Sequence, residues 1–313
     1  YSQTAKPISS AMTANQAEKD LAVTAFINDL RQQVVGRGQL IDTPFGAKPL
    51  LYCDHTASGR SLHSIEQLIS RKVLPHYANT HSEASHTGRH TGRLREWARQ
   101  SIKEVINAGP EDALIFCGHG ATGAVNKLVH LLNFNATPQA DNALDPNEAT
   151  KPLVLIGPYE HHSNELPWRE AQADVIRIPL DEDGNINQQD LIRALEENAT
   201  RPLVVGSFSA ASNVTGVKAD VPGITQILKR HAAIAVWDYA AGAPYLPIDM
   251  NRPDAAIDAV FFSPHKFIGG PGSSGVLAVK RSVIRSTAPG QVGGGTVRYV
   301  TPDWHDWHPD PEH

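Results

Sequence analysis

The sequence predicts an α/β fold whose centre is a mostly parallel sheet of seven strands flanked by helices. From residue 113 onward, short apolar runs alternate with longer stretches in which apolar residues recur at helical spacing. The runs are continuously apolar, which is typical of strands that helices cover on both faces. We predict strands at 113–117, 153–156, 174–178, 203–208, 233–237, 259–262 and 276–279.

Before the sheet, the chain is predicted to be mainly helical. Apolar side chains at helical spacing predict a helix over residues 14–36, within an N-terminal helical segment that covers residues 1–50. Two further helices are expected at about 61–74 and 92–107. The polar stretch at 79–91, which lies between them, is interpreted as a loop.

The composition argues against several classes of partner. The 313 residues carry 28 basic and 33 acidic side chains, for a net charge of −5, without a basic stripe interleaved with aromatic residues, so we expect no nucleic-acid partner. No apolar run approaches the roughly 20 residues that span a bilayer, and the first residues lack the apolar stretch of a signal peptide. We therefore expect a cytoplasmic protein with no membrane partner. Cys53 and Cys117 are too few for a disulfide framework, and both are expected to be buried.

The first predicted strand runs into a turn of small residues. Gly118-His-Gly-Ala-Thr-Gly-Ala-Val-Asn126 leads directly into a helix that extends to Leu132. Small residues let backbone N–H groups converge at a helix N-terminus, where the helix dipole favours anions, and Thr122 adds a hydroxyl. The turn therefore fits a phosphate, although on its own an ordinary strand-to-helix connection explains it equally well.

Polar side chains also follow the later strands. His161 could stack on an aromatic ligand and move protons, although a plain polar loop remains the alternative. Asn213 could hold a ligand hydroxyl, and Asp238 caps a buried strand, where an acid is costly unless it meets a cation such as a pyridinium nitrogen. Because ligands of parallel sheets bind beyond the carboxyl ends of the strands, we expect these side chains to meet.

Lys266 is the strongest single candidate. It lies between an apolar strand and the glycine-rich run Gly269-Gly-Pro-Gly272. A primary amine attacks a carbonyl only when it is deprotonated, and partial burial lowers the pKa of a lysine toward that state. The position therefore predicts a Schiff-base lysine, with a solvated surface lysine as the alternative.

Together these segments resemble the class V aminotransferase family of pyridoxal-phosphate (PLP) enzymes of fold type I. The closest branch is that of cysteine desulfurases and selenocysteine lyases. Glu160-His-His-Ser-Asn-Glu-Leu-Pro-Trp168 and Ser263-Pro-His-Lys266 carry the resemblance, and the Gly-Ala-Thr turn and Asp238-Tyr-Ala240 support it. The resemblance covers about residues 50–300, and it implies that residues 51–300 form the PLP-binding large domain.

The resemblance also implies a role for each candidate residue. Lys266 would hold pyridoxal 5'-phosphate as a Schiff base and then remove the Cα proton of the substrate. Asp238 would pair with the ring nitrogen and His161 would stack on one face of the ring. Ala240 would pack on the other face, and Asn213 would contact the ring hydroxyl. The implied phosphate contacts are Ala121, Thr122, Ser263 and His265.

Two departures from the family pattern leave the reaction open. Ala241 occupies a position where desulfurases carry a glutamine. The resemblance implies a small C-terminal domain that carries a substrate-binding arginine and a persulfide cysteine; we find no match to that domain within residues 1–313, and neither cysteine of this chain matches that nucleophile. We interpret residues 301–313 as the start of a connection to the absent domain and expect no regular secondary structure there. Either the chain is truncated or the enzyme works without that cysteine.

The expected function is thus a PLP-dependent lyase acting on a small sulfur- or selenium-bearing amino acid, with a sulfur acceptor protein as a partner. A transaminase, an epimerase or a β-eliminating C–S lyase of the same family would use the same residues, and a non-catalytic PLP-fold binding module is a further alternative. The resemblance implies a homodimer.

The remaining histidines are expected to have lesser roles. His81, His86 and His90 fall in the predicted loop, which either is solvated or places His81 or His86 at the substrate entrance, as the resemblance implies. His305, His308 and His313 lack the spacing of a metal site, so we expect no metal.

Overall fold

The computed structural model describes residues 9–80, 83–134 and 151–312, with backbone only for residues 9–18. These residues form two compact units. The first contains the chain up to Cys53 together with residues 60–75, and the second contains residues 54–59 and the chain from His76 onward.

The first unit consists of helices and one hairpin. Its elements are α1 (Ser9–Gln33), β1 (Leu40–Thr43), β2 (Gly46–Pro49) and α2 (His63–Leu68). β1 and β2 pair antiparallel, and α2 continues as a π-helical turn, Ile69–Val73. The first predicted helix is therefore present but ends earlier, before Gly36, whose positive φ of 82° does not suit a helix.

The second unit contains the predicted sheet. Its seven strands are β3 (Asp112–Cys117), β4 (Leu153–Ile156), β5 (Asp174–Arg177), β6 (Val204–Ser209), β7 (Ile234–Asp238), β8 (Ala259–Phe262) and β9 (Gly275–Lys280). Their order in space is β3-β9-β8-β7-β6-β4-β5. β9 runs in the opposite direction to the other six strands, which all point the same way. The prediction of a mostly parallel seven-stranded sheet is therefore confirmed.

Helices cover both faces of this sheet. They are α3 (His86–Val105), α4 (Gly120–Leu131), α5 (Leu166–Glu170), α6 (Gln188–Glu197) and α7 (Val221–Arg230). Successive strand residues enter opposite cores: Leu155 packs with α6 and α7, whereas Val154 packs with α4 and Trp168 of α5. Burial of each such aliphatic side chain contributes about 1.5–3 kcal/mol, which explains why the strands are apolar on both sides.

Helix α3 begins earlier than predicted. The side chain of Ser85 accepts a hydrogen bond of 2.9 Å from the N–H of Gly88 and caps the helix, so that it starts at His86. The prediction of a loop through residue 91 is therefore wrong for His86 and His90, which lie on α3. The apolar periodicity begins only after these residues, and the cap was not recognised.

The expectation of no regular structure after residue 300 is also wrong. β10 (Val297–Val300) and β11 (His305–Trp307) form an antiparallel hairpin. Beyond it, Glu312 Oε1 accepts hydrogen bonds from the N–H of Leu114 (2.7 Å) and lies 2.6 Å from Lys103 Nζ. The last described residues thus pack against β3 and α3.

Candidate active site

A cavity of about 280 Å³ lies at the carboxyl ends of the parallel strands in the second unit. All nine residues that the sequence singles out line it: Ala121, Thr122, His161, Asn213, Asp238, Ala240, Ser263, His265 and Lys266. Six further residues complete the wall: Ala57, His119, Ser163, Ser209, Ala211 and Ala241. The parallel topology brings these loops together because all the contributing strands end at one edge of the sheet.

The start of α4 forms one wall of the cavity. Gly120 has a φ of +60°, and a Cβ atom there would lie 2.9 Å from His265 Cε1 and 3.0 Å from Ser263 Oγ. The N–H of Ala121 donates to Ser263 Oγ at 2.8 Å, and the hydroxyls of Thr122 and Ser163 are 2.8 Å apart. Hydroxyl groups and a helix N-terminus thus surround a space that stays open because residue 120 is a glycine. Such hydrogen-bond donors fit a phosphate group.

His161 follows β4 and caps a short 3-10 turn. Its Nδ1 accepts a hydrogen bond of 3.1 Å from the N–H of Ser163, so in the neutral ring the proton is assigned to Nε2. Burial lowers the pKa of His161, and the charges of Lys266 and His162 lower it further. The ring is therefore held neutral and oriented, as stacking on an aromatic ligand requires.

Asp238, the last residue of β7, is only 4% exposed. Its Oδ1 accepts a hydrogen bond of 2.7 Å from the N–H of Ala240. Burial raises its pKa to about 6, against which that hydrogen bond and the charge of Lys266 act. Within the described residues it forms no ion pair within 4.0 Å. Among the described residues its carboxyl therefore has one backbone donor and the more distant charge of Lys266, but no ion-pair partner.

Lys266 lies half-buried on the 3-10 turn Pro264–Lys266, directly after β8. Two glycines allow the backbone to approach this turn, since a Cβ on Gly59 would lie 1.9 Å from the carbonyl oxygen of Phe267 and one on Gly270 would lie 1.9 Å from that of Pro264. Burial lowers the pKa of Lys266, although the negative charges of Asp238 and Asp54 oppose this. The amine is therefore shifted toward the neutral, nucleophilic form.

Asn213 and His265 complete the set of predicted side chains. Asn213 is half-buried in a turn that Ser212 stabilises by accepting hydrogen bonds from the N–H groups of Val214 (3.2 Å) and Thr215 (3.1 Å). Burial lowers the pKa of His265, and the charge of Lys266 adds to the effect. The wall of the cavity therefore presents neutral imidazoles next to one buried acid and one amine.

Other residues from the sequence prediction lie elsewhere. His86 and His90 do not line the cavity; their rings cluster with His76, at centroid distances of 5.9 and 5.1 Å from it, and His81 lies outside the described residues. Cys117 is buried as predicted, and burial raises its pKa to about 11, whereas Cys53 is exposed, so that part of the prediction is wrong.

The described residues contain neither a cluster of metal-binding side chains nor a helix that could span a membrane. In residues 9–80, 83–134 and 151–312 no group of three or more acidic, histidine or cysteine side chains is arranged to hold a metal. No helix in those ranges combines the length and the apolar character required to cross a membrane. A second, larger groove of about 970 Å³ is lined by residues 180–189 and 218–224 and contains none of the predicted site residues.

Sequence reasoning missed a carboxyl behind the cavity wall, that of Glu160. It belongs to the motif that contains His161, but only the fold reveals its partners, the β6 residue Ser209 and the turn residue Asn164. The local sequence signal was an acid directly before the candidate histidine. That signal does not specify which way the side chain points.

Solved structures confirm the fold. The "Apo structure of Cysteine Desulfurase from Thermococcus onnurineus NA1" superposes with a TM-score of 0.70 at 22% identity and covers 91% of this chain and 64% of that one. The NifS-like protein from Rickettsia africae ESF-5 gives a TM-score of 0.65 at 21% identity, over 79% of this chain and 62% of that one. At this identity the likeness concerns the fold alone, which is that of fold type I.

Curated relatives carry a related name. A "Probable cysteine desulfurase" from Halalkalibacterium halodurans is 29% identical over 270 residues, which are 83% of this chain and 61% of the relative. Another from Pasteurella multocida is 32% identical over 213 residues, which are 66% of this chain and 46% of the relative. The chain thus spans less than two thirds of the length of each protein compared.

The family itself follows from a broader match. The family model described as Aminotransferase class-V matches residues 51–313, which include every strand of the sheet and every residue that lines the cavity. Since this match extends over well more than half of the chain, the protein belongs to the aminotransferase class-V family.

Proposed function

We propose that this chain binds pyridoxal 5'-phosphate through Lys266 and acts on a small sulfur- or selenium-bearing amino acid, as a cysteine desulfurase-like enzyme. The observation that carries the proposal is one cavity in which an amine with a lowered pKa, a buried acid without a cation and a helix N-terminus occur together. Perturbed titratable groups in a single cleft are typical of catalytic sites.

The residues fit the cofactor at both of its ends. The Gly120 wall, with Thr122, Ser263 and His265, would hold the phosphate. Asp238 would hold the ring nitrogen, and His161 and Ala240 would enclose the ring, with Asn213 at its hydroxyl. When bound, the cofactor supplies an aldehyde for an amine and a ring that accepts the electron pair left at the substrate Cα.

The chain's own residues would then handle protons. Once a substrate amine has displaced it, Lys266 would be a free amine within the cavity, and its lowered pKa would let it take the Cα proton. Asp238 in its ionised form would keep the ring nitrogen protonated. His161 would remain neutral and oriented by Ser163.

The first experiment tests the cofactor. Purified protein is mixed with PLP, its visible spectrum is recorded, and borohydride reduction followed by peptide mass mapping locates the modified residue. We expect a visible band and a modified Lys266. The variant Lys266→Ala should lose both, whereas Lys48→Ala, at an exposed lysine on β2, should keep both. Absence of a band in the wild-type protein at saturating PLP would refute the proposal.

The second experiment tests the reaction. Cysteine or selenocysteine is added to the PLP-loaded protein together with dithiothreitol, which reduces the released zero-valent sulfur or selenium to sulfide or selenide, and alanine, sulfide or selenide, and pyruvate are measured. Alanine with sulfide or persulfide supports desulfuration. Pyruvate would instead indicate β-elimination, a second candidate that Ala241 favours, because the cavity lacks the amide that desulfurases have at this position.

The proposal includes partners that the family resemblance implies. A homodimer is expected, because PLP sites of fold type I are completed across a subunit interface. Light scattering of the PLP-loaded protein measures the mass in solution, and a monomer would contradict this part. A sulfur acceptor protein is expected only if alanine is the product.

A further inference from the structure

We propose that Glu160 is a positioning residue of this site, which ties the His161 turn to the end of β6 and, together with Asp238, makes the cavity favour a cationic ring. The inference rests on the proposed function, since the ring is that of PLP. It concerns a side chain that does not line the cavity but lies directly behind its wall.

The carboxyl of Glu160 accepts hydrogen bonds from four donors. Oε1 accepts from the N–H groups of Gly157 (3.2 Å) and Ser209 (2.9 Å). Oε2 accepts from the hydroxyl of Ser209 (2.8 Å) and from the side-chain amide of Asn164. One carboxyl therefore joins the loop after β4 to the last residue of β6.

The orientation of the Asn164 side-chain amide is fixed by its other hydrogen-bond partners. Asn164 is fully buried, and its Oδ1 accepts from the hydroxyl of Ser207 (2.6 Å) and from Trp168 Nε1 (3.2 Å). Its NH₂ group must therefore point to Glu160. The backbone N–H groups and this NH₂ only donate, so the ionised carboxylate accepts all four bonds, whereas a proton on Oε2 would reverse the bond with the Ser209 hydroxyl, which can also accept.

The network encloses the turn that presents His161. Glu160 precedes His161 directly, and the N–H of Asn164 donates to the carbonyl oxygen of His161 at 2.7 Å. Both ends of the turn are thus anchored, one by the Glu160 carboxyl and the other by Asn164. Without that carboxyl, His161 would lose the anchor on the β6 side of its turn.

The same network brings a second acid close to Asp238. Ser209 and Asp238 face each other in the register of β6 and β7, and Glu160 bonds to Ser209 from behind. Burial raises the pKa of Glu160 to about 7, and the charge of Asp238 contributes. Neither acid forms an ion pair within the described residues. A cation bound at Asp238 would stabilise the ionised form of both.

Other titratable groups lie around the pair. Lys266 acts on Asp238 from the turn after β8, and the recess on the other side of Glu160 is lined by Tyr159 and Lys218. A Glu160 variant leaves these groups unchanged in sequence, so a control variant at a neighbouring buried acid separates the contribution of Glu160 from theirs.

The test compares Glu160→Gln with Glu165→Gln. Glu165 is a buried acid of the same turn, 5% exposed, but it pairs with Arg169 and Arg177 rather than with the cavity wall. Both substitutions replace a buried carboxylate with an amide of equal size. The measured quantities are the dissociation constant of PLP and the pH at which the visible band of bound PLP changes.

We expect Glu160→Gln to weaken PLP binding roughly tenfold, the scale of one charge-assisted hydrogen bond. The pH of the spectral change should fall, because loss of a nearby negative charge disfavours the cationic form of the bound chromophore. Glu165→Gln should leave both quantities at their wild-type values. Equal behaviour of the two variants, with wild-type protein that binds PLP, overturns the inference and leaves the proposed function intact.

Two further results keep the test decisive. If wild-type protein does not bind PLP, the proposed function fails, and this inference fails with it. If Glu160→Gln does not fold, Glu160→Asp keeps the charge but cannot reach both Ser209 and Asn164. It should weaken binding several-fold while the pH of the spectral change stays near that of wild type, and wild-type affinity in this variant would overturn the positioning role.

Discussion

At the amino ends of the sheet strands two buried acids form ion pairs with lysines, whereas Asp238 and Glu160 at the carboxyl ends form no ion pair among the described residues. Asp112, at the start of β3, bonds to Lys280 (3.1 Å), and Asp258, just before β8, bonds to Lys229 through both oxygens (2.7 and 2.8 Å). Asp238 and Glu160, at the opposite end, have no such partner among the described residues. At one end each acid is neutralised within the fold, so that removing its partner would be costly, whereas at the other end Asp238 and Glu160 leave charge available to a ligand.

The pKa values follow the same division. Burial acts to raise the pKa of Asp112, but hydrogen bonds from Gly109, Asn251 and Lys280 outweigh it and hold that pKa below its usual value. For Asp238, burial outweighs the single hydrogen bond from Ala240 and raises the pKa to about 6. At Asp112 the hydrogen bonds and the charge of Lys280 together outweigh burial, whereas at Asp238 burial remains the dominant influence on the pKa.

The largest effect is expected from Asp238→Asn. Loss of the ring partner should lower turnover of the PLP-loaded enzyme about 10²–10³-fold, the scale of one lost electrostatic contact to developing charge. The thermal midpoint of the cofactor-free protein should not fall, because the substitution removes an unpaired buried charge. Steady-state kinetics and a thermal melt of the same preparation measure both. Wild-type turnover would contradict the role of Asp238.

The same substitution at the amino ends of the strands, Asp112→Asn, should lower the stability of the protein and leave PLP binding unchanged. It leaves Lys280 without its anion and should destabilise the protein by about 3 kcal/mol, toward the low end for a broken buried pair because Lys280 retains some contact with water. PLP binding by the folded protein should be unchanged. Urea unfolding followed by circular dichroism measures the loss, and equal stability of the two asparagine variants would abolish the contrast between the ends.

The pH dependence of stability separates the two ends further. Glu160 and Asp238 have folded pKa values raised from 4.5 to about 7 and from 3.8 to about 6, so the folded state binds protons more tightly than the unfolded state. Their contribution is fully present below about pH 4 and is lost as the pH rises through 6 and 7. Asp112, with a lowered pKa, contributes above its unfolded pKa and loses this contribution only under more acidic conditions.

Variants separate the pH dependence that these two acids give to stability from that of His161 and His265. The lowered pKa values of these histidines make stability rise with pH. Between pH 5 and pH 8, each measured in urea, the cofactor-free wild type should lose more stability than Asp238→Asn or Glu160→Gln. Parallel profiles of wild type and both variants would show that these acids do not carry raised pKa values.

The smallest effect concerns Gly120, in the wall of the cavity that we propose to hold the phosphate of PLP. Gly120→Ala forces a side chain at φ +60° against His265 and should cost about 1–2 kcal/mol of stability together with weaker PLP binding. Gly118→Ala is the matched control, because a Cβ there meets nothing within 4 Å. Thermal melts and PLP titration compare the two variants. Equal stability and equal PLP affinity would mean that a side chain at residue 120 fits this wall without cost.

Much of this architecture is predictable from the sequence. All seven strands fall within one residue of their predicted bounds, because continuous apolar runs are a strong local signal. The nine predicted residues meet in one cavity, since strand ends of a parallel sheet converge. Their roles toward a cofactor stay predictions.

The features that the sequence did not predict lie in segments where apolar periodicity gives no signal. The Ser85 cap and the β10–β11 hairpin depend on polar groups in segments without apolar periodicity. The Glu160 network depends on Ser209, which is 49 residues away in sequence. The contact with Ser209 leaves no local pattern, whereas the Ser85 cap is a local signal that lies in a polar stretch before the apolar periodicity begins.

The contacts of Leu114 bear on solubility. β3 lies at the edge of the sheet, where open N–H and C=O groups invite another strand to add on. The N–H of Leu114 bonds to the Glu312 carboxylate and its C=O accepts from Arg99 Nε at 3.0 Å, so two charged side chains occupy the place of a neighbouring strand. Charged side chains, rather than the backbone of another strand, therefore satisfy this part of the edge and prevent a second chain from pairing with it.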